Sequence, residues 1–366
     1  MNRNFYKKGM AAGLLLGAAS AANAITLAEA DGTTVSLGGY IKAEAVFNRP
    51  DTNAAEGAEN SFIAGMRQSR FNLNVARDVE GHRVSGFIEG DFYGNSKADE
   101  GTAVQWRMRH AVIRVDDLTI GQFWSGQMLA TAPLDVEMLN FWGAGSGSIA
   151  GSGATVRPQL LVHYQRDGLR ISVQDPVNLD ATYPDLVASY RLKSESGAQL
   201  SVALTGRDVD LTPADDDDGK SRLGLGASLA AKLPLGSTSL HLSGYTGKGM
   251  GAYSGVGVGG AYRGADRIDA EGEKLVRQDG FMAGVRHEFS DALRANVRFS
   301  KVMVNDKAST GMVSSNINLM YRYLPGLEFG IEWRRQTLGT VSPANSDWQR
   351  TRPKGQQLEV MTMFKF

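Results

Sequence analysis

Cysteine is absent from the 366 residues, which excludes a disulfide framework and any site built on a thiolate. No stretch after residue 24 approaches the ~20 consecutive apolar residues of a membrane-spanning helix, and no helical apolar stripe runs for long. Net charge is missing too. Thirty-nine Lys and Arg balance 39 Asp and Glu, so the basic excess of a nucleic-acid binder is not there. The five histidines, His82, His110, His163, His241 and His287, are scattered, and none has a metal-ligand spacing such as H-E-x-x-H. No metal and no cofactor is expected. What the chain does have is glycine, 44 residues of it, and a period of two.

The amino terminus stands apart. Arg3, Lys7 and Lys8 precede a small-and-apolar run around Leu14-Leu15-Leu16, and Ala22-Asn23-Ala24 is an A-x-A cleavage site. We read residues 1–24 as a cleaved export signal, 25–34 as a short periplasmic amino-terminal segment, and 35–366 as the folded body.

The carboxy terminus shows the period most plainly. Leu358, Val360, Thr362, Phe364 and Phe366 share one parity, and Gln357, Glu359, Met361, Met363 and Lys365 share the other. Such alternation predicts a strand with one oily face and one mostly wet face. An edge ending in this way would invite aggregation in water. In a membrane barrel it would close against the first strand, with Phe366 in the interfacial aromatic girdle.

The same pattern recurs from Val35 onward. Outward sets include Leu37-Gly39-Ile41-Ala43-Ala45-Phe47, Leu169-Ile171-Val173, Leu200-Val202-Leu204 and Leu327-Phe329-Ile331-Trp333. Around residues 104–115 the parity conflicts, since Trp106 and Met108 oppose Ala111, Ile113 and Val115, and a bulge would reconcile them. A strand over 118–125 follows. Sixteen strands result. The connections between them alternate in length. Short ones such as Glu80-Gly81-His82, Asp167-Gly168 and Pro325-Gly326 carry turn chemistry. Long ones cover 48–64, 94–103, 126–156, 175–183, 209–220, 247–273, 305–310 and 338–354. Strict short–long alternation with an even strand count predicts an all-β, 16-stranded antiparallel transmembrane barrel in the Gram-negative outer membrane, with short periplasmic turns and long extracellular loops. At this size the interior holds an aqueous channel.

One stretch carries a family resemblance. Gly121-Gln122-Phe123-Trp124-Ser125 leads into a long third loop with Asp135, Glu137 and Asn140-Phe141-Trp142-Gly143-Ala144-Gly145-Ser146-Gly147-Ser148, followed by Arg157-Pro158-Gln159-Leu160. This resembles the DcaP-like branch of trimeric porins, over about residues 35–366. The resemblance implies a homotrimer, an inward-folded third loop that narrows the pore, and passive uptake of small anions, dicarboxylates especially. It also implies that residues before about Trp124 supply much of the subunit interface, which the Gly- and Ala-rich outer face of the first strand suits. Relatives with a periplasmic coiled coil before the barrel differ from this chain, where only 25–34 precedes the first strand.

Arginine fills the inward parity. Lys42, Arg70, Arg170, Arg191, Arg207, Arg222, Arg286, Arg294, Arg298, Arg322 and Arg334 share it, Arg107 and Arg109 join after a bulge, and Arg157 sits where the third loop returns. Guanidinium stays charged and grips a carboxylate with two prongs, and a low-dielectric wall focuses the field of several such groups. Glu89, Asp91, Glu332 and Glu359 share the inward parity, while Asp135 and Glu137 lie on the constriction loop. Opposed signs across a narrow lumen would orient dipolar solutes. The plainer reading is that polar residues fill any wet interior and basic ones near strand ends touch lipid or lipopolysaccharide phosphates. Asp215-Asp216-Asp217-Asp218 reads as a solvated loop tip ahead of a calcium site, and residues 255–260 as a flexible glycine loop with no helix to make them a phosphate cradle. No catalytic residue stands out, and His163 reads as a pore-wall side chain. Trp106, Trp333, Tyr190, Tyr321 and Tyr323 read as interface-belt aromatics. A diffusion porin preferring organic anions is the first reading, a non-selective porin the second, and a barrel enzyme or adhesion receptor the third.

Overall fold

The computed structural model describes residues 24–52, 59–94, 105–139, 158, 160–176, 181–211, 220–251, 253, 269–307, 311–337 and 354–366. Residues 1–23 of the expected export signal, residues 140–148, Arg157, residues 215–218 and residues 255–260 lie outside them.

Alternation of apolar and polar residues becomes alternation of outward and inward side chains. The strands in chain order are β1 (Ile25–Ala30), β2 (Thr33–Pro50), β3 (Ser61–Gly65), β4 (Arg70–Val79), β5 (His82–Asp91), β6 (Arg107–Val115) and β7 (Leu118–Gln122). A short helix α1 (Gly126–Thr131) precedes β8 (Leu161–Arg166), β9 (Leu169–Gln174), β10 (Asp185–Lys193), β11 (Gln199–Asp210), β12 (Ser221–Leu235) and β13 (Thr238–Lys248). The small hairpin β14 (Ala270–Glu271) and β15 (Lys274–Leu275) interrupts the series before β16 (Arg277–Glu288), β17 (Leu293–Val304), β18 (Gly311–Leu324), β19 (Leu327–Gln336) and β20 (Gly355–Lys365). Neighbours pair antiparallel throughout. β2 meets β4 on one side and β20 on the other, so sixteen strands close into a barrel.

Closure follows the aromatic carboxy terminus. Tyr40 pairs with Lys365, and Phe366 exchanges backbone hydrogen bonds with Gly39 at 3.0 and 3.1 Å. β2 continues past that point toward the periplasmic rim, and β1 pairs along the part that β20 does not reach, from Thr33 to Leu37. The amino-terminal segment is therefore a strand that covers an otherwise open edge. β3, pairing with Glu44–Asn48 of β2, is a second addition that the sequence pattern did not announce.

The bulge is where the parity conflict placed it. Glu89 pairs with His110 and Gly90 with Met108, leaving Arg109 as the extra residue. Trp106, Met108 and Ile113 consequently all face outward. Short hairpins use left-handed pairs that match the strand twist, as at Glu80 (φ 51°) and Gly81 (φ 86°). The strand expected over 118–125 ends earlier. β7 stops at Gln122, and Ser125 turns the chain off the wall by capping α1, its Oγ accepting from Met128 N at 3.2 Å. A serine with β-region φ and ψ before a helix is a favoured cap.

The large apolar side chains lie outside. Leu169, Ile171, Val173, Tyr190, Leu204 and Trp333 are all more than a third exposed, on the surface that lipid covers. Arg298, Asn316 and Glu332, by contrast, point inward and are 1–3% exposed.

Candidate functional site

The third loop enters the lumen and runs along its inner wall. A backbone leaving a sheet in a closed interior must find partners for its polar groups, and here side chains of successive strands supply them. His163 Nε2 donates to Trp124 O (2.9 Å), and Gly126 N donates to Gln174 Oε1 (3.0 Å). Arg191 donates to Leu129 O (2.6 Å), His241 Nδ1 to Leu134 O (2.7 Å), and Asn318 to Glu137 O (2.8 Å). At Leu139, Lys42 Nζ donates to the carbonyl (2.6 Å) and Glu332 accepts from the amide (3.0 Å). From β8 round to β2 the described part of the loop is sewn to the barrel.

Two glycines make room for it. A Cβ at Gly284 would stand 2.7 Å from Val136 Cγ1, and one at Gly330 3.0 Å from Leu139 Cγ. The loop packs into the notches that the missing side chains leave.

Charge completes the fastening, and this changes the reading of Asp135 and Glu137. Arg298 binds Asp135 with two prongs (3.2 and 2.8 Å). Arg294 binds Glu137 likewise (2.7 and 2.8 Å), and Arg286 adds a third bond at 2.9 Å. The two acids do not face arginines across open water. They lie against the arginines of β16 and β17 and pin the loop there, because a bidentate charged pair is far stronger in contact than across a lumen. Burial alone would raise the Glu137 carboxyl, but the bond from Arg294 and the charges of Arg294 and Arg286 outweigh it and hold it below the usual carboxylate range.

Most other inward cations are matched too. Arg107 grips Asp91 (2.9 and 2.7 Å), and Arg109 lies between Glu89 and Asp91, 2.9 Å from each. Arg70 stacks on Tyr40 and stands 4.0 Å from Glu89. Arg334 meets Glu332 at 2.6 Å, and Lys42 sits between Glu44 (3.0 Å) and Glu359 (3.3 Å). Half-exposed Arg322 stands 3.7 Å from Glu328. Arg157 lies outside the described residues.

Four inward cations on β6, β9, β10 and β12 differ. Arg114, Arg170, Arg191 and Lys232 have no carboxylate within 4.0 Å among the described residues. Arg170 donates to Gln165 and Arg191 to loop carbonyls, while Arg114 lies over the rings of Phe87 (5.4 Å) and Phe123 (5.2 Å). Each stands within four residues of the periplasmic end of β6, β9, β10 or β12. Arg114 follows outward Ile113, and Lys232 shares the inward parity of Ala230. Parity alone marks both in the sequence, once the bulge at Arg109 is placed.

A second loop also reaches inward, without a signal in its glycine-rich sequence. Met250 and Tyr253, after β13, are 0 and 1% exposed and pack with Tyr245, Val276 and Val302. Tyr253 Oη donates to Asp185 and accepts from Gln174 Nε2 (2.8 Å), which also reaches Gln127 of α1 (3.1 Å). Arg207 lies over the Tyr253 ring at 5.6 Å and ties Gly249 O (3.0 Å) and Asp269 (2.9 Å) to the same cluster. The two loops share one buried network.

His163 and Ser172 are 2.6 Å apart, which resembles a nucleophile–base pair. Both are buried, and His163 Nε2 is spent on Trp124 O, so Nδ1 accepts from the serine. His241 repeats the arrangement with Ser239 (2.8 Å) and Leu134 O. Two such clips holding loop carbonyls are structural.

No protein-family model and no curated protein matches the sequence. Solved structures match the fold. The outer membrane channel DcaP of Acinetobacter baumannii has a TM-score of 0.73 at 17% identity, covering 93% of this chain and all of that one. An anion-selective porin from Comamonas acidovorans gives 0.65 at 12%, covering 91% and 100%. The trimer form of OmpT, an outer membrane protein of Vibrio cholerae, gives 0.61 at 11%, covering 92% and 100%. At these identities the likeness is one of fold, and at that level it bears out the resemblance to DcaP-like porins: the chain is a multi-pass outer-membrane β-barrel with the porin architecture.

Proposed function

We propose that the barrel is a homotrimeric diffusion porin for small hydrophilic solutes, with a preference for organic anions such as dicarboxylates. It has no catalytic role and works among outer-membrane lipids and lipopolysaccharide. The observation that carries the preference is the unmatched row Arg114, Arg170, Arg191 and Lys232 beside a loop whose own acids are bound. Cations with no carboxylate beside them among the described residues keep their field in the water column, and low-dielectric walls focus it. The named anion selectivity of the Comamonas porin and the channel described for DcaP support the reading. The trimer rests on the recorded trimer form of the Vibrio protein and on small outward residues of β2, Ala43 and Ala45, which allow close approach.

A non-selective pore is the second reading, and the neutralised arginines of β16–β19 favour it. Reversal potentials in a salt gradient separate the two: a shift toward the anion potential supports the proposal, and none supports the alternative. Liposome swelling with small sugars tests the pore itself, and a barrel enzyme or receptor would give none.

A further inference from the structure

The outer surface of the barrel carries its own basic patch, which the pore does not use. Arg49 on β2, Lys301 on β17 and Arg335 on β19 have the outward parity of Phe47, Phe299 and Trp333, which are 47, 42 and 36% exposed. Lys354, just before β20, shares the outward parity of Leu358. In register, Arg49 pairs with Gln356 and Gln356 with Arg335, so the two arginines flank one residue of β20. Lys301 stands two strands further on, its partner Val313 two residues from the Ser315 that faces Arg335. Among the described residues only Asp51 offsets them, 3.4 Å from Arg335.

The height is informative. Each cation lies in the upper part of its strand, toward the long loops, just above the outward rings of Phe47, Trp333 and Phe299. Aromatic rings at the end of an apolar band mark the membrane interface. A cation directly above that line meets headgroups rather than acyl chains or bulk water. Arginine offers a planar fork that matches phosphate oxygens, and lysine a point charge that reaches the same layer by extending its stem.

We propose that Arg49, Lys301, Arg335 and Lys354 form a site for the phosphate groups of a glycolipid in the outer leaflet, whose acyl chains lie on the apolar wall below. Phosphate from solution offers the same oxygens but no chains, so the two sources are distinguishable. The patch borders the face of β2 proposed for subunit contact, so a lipid held there would also line the seam between subunits. The inference rests on the outer-membrane reading and on no property of the lumen.

The test uses the full-length protein purified in detergent. Retention of diphosphoryl lipid A, fully dephosphorylated lipid A and inorganic phosphate is measured by native mass spectrometry and by thermal shift. Wild-type protein should retain diphosphoryl lipid A, with affinity falling as salt rises, and R49Q/K301Q/R335Q/K354Q should lose at least about tenfold, since each surface cation near anionic lipid contributes ~1 kcal/mol. R49K/R335K should keep most of the binding, and single Gln variants report if the fourfold variant does not fold. Equal retention of the dephosphorylated lipid, inorganic phosphate binding as tight as the lipid, or an unaffected fourfold variant each overturns the site. Conductance of the variants should equal wild type. A protein that binds lipid A but never conducts would sink the porin reading and leave this one standing.

Discussion

Arg294 and Glu137 lie 157 residues apart in sequence and meet through two hydrogen bonds of 2.7 and 2.8 Å. That contact shows what the loop acids do. They neutralise arginines of β16 and β17 and fix the loop to those strands.

Removing the carboxylate tests this directly. Glu137→Gln keeps the shape but removes one of the two carboxylates beside each arginine, leaving Arg286 to Glu288 (2.8 Å) and Arg294 to Glu328 (3.1 Å), at a cost to loop docking of about 1–3 kcal/mol for the charged hydrogen bonds lost. Single-channel recordings should show more current noise, and the anion-to-cation permeability ratio should rise. A fall in that ratio would mean that Glu137 shapes the solute path in some other way.

The same pair sets a pH window. The Glu137 carboxyl titrates below its ordinary value of 4.5 when the loop is docked. Its stabilisation is therefore complete above that value and is lost only as pH falls through the lower docked one. Conductance should stay level from pH 8 to about 5 and grow unsteady in stronger acid. A transition near neutrality would point to a different group.

Gly284 offers a steric test that leaves every charge in place. Gly284→Val drives two methyl groups into the space of Val136, where a single Cβ already comes within 2.7 Å. Overpacking of this kind costs about 1–3 kcal/mol. The loop should lift and conductance change, while the heat-resistant mobility of the folded barrel on gels persists.

Tyr253→Phe probes the link between the two inward loops. It removes the hydroxyl shared by Asp185 and Gln174 and leaves a buried carboxylate short of a partner, at a cost of about 1–3 kcal/mol. Protease cleavage in the loop after β13 should quicken in intact cells, and open-state noise should rise together with it. Faster cleavage with unchanged noise would show that the loops are independent.

Much of this architecture was legible as alternation. The outward rows on β9, β11, β19 and β20, the short turns, the closing strand and even the bulge at Arg109 follow from which side chains lipid tolerates, a constraint acting on every residue in turn. The path of the third loop was not legible beyond its inward fold, because Asp135 and Glu137 find their partners by three-dimensional proximity across more than a hundred residues. Counting inward arginines therefore overstated the free charge of β16–β19. Tyr253 was invisible for a similar reason: in a glycine-rich loop nothing periodic marks the residue that turns inward. β1 and β3 escaped because each merely extends a pairing along β2.

The most direct test compares two sets of lumen variants by reversal potential in a tenfold KCl gradient. R170Q/K232Q removes cations that, among the described residues, have neither a carboxylate nor a loop carbonyl as partner, and R322Q removes one that stands 3.7 Å from Glu328. R170Q/K232Q should move the potential markedly toward the cation side, and R322Q should move it little. An unchanged potential in R170Q/K232Q, with a large shift in R322Q, would contradict both expectations.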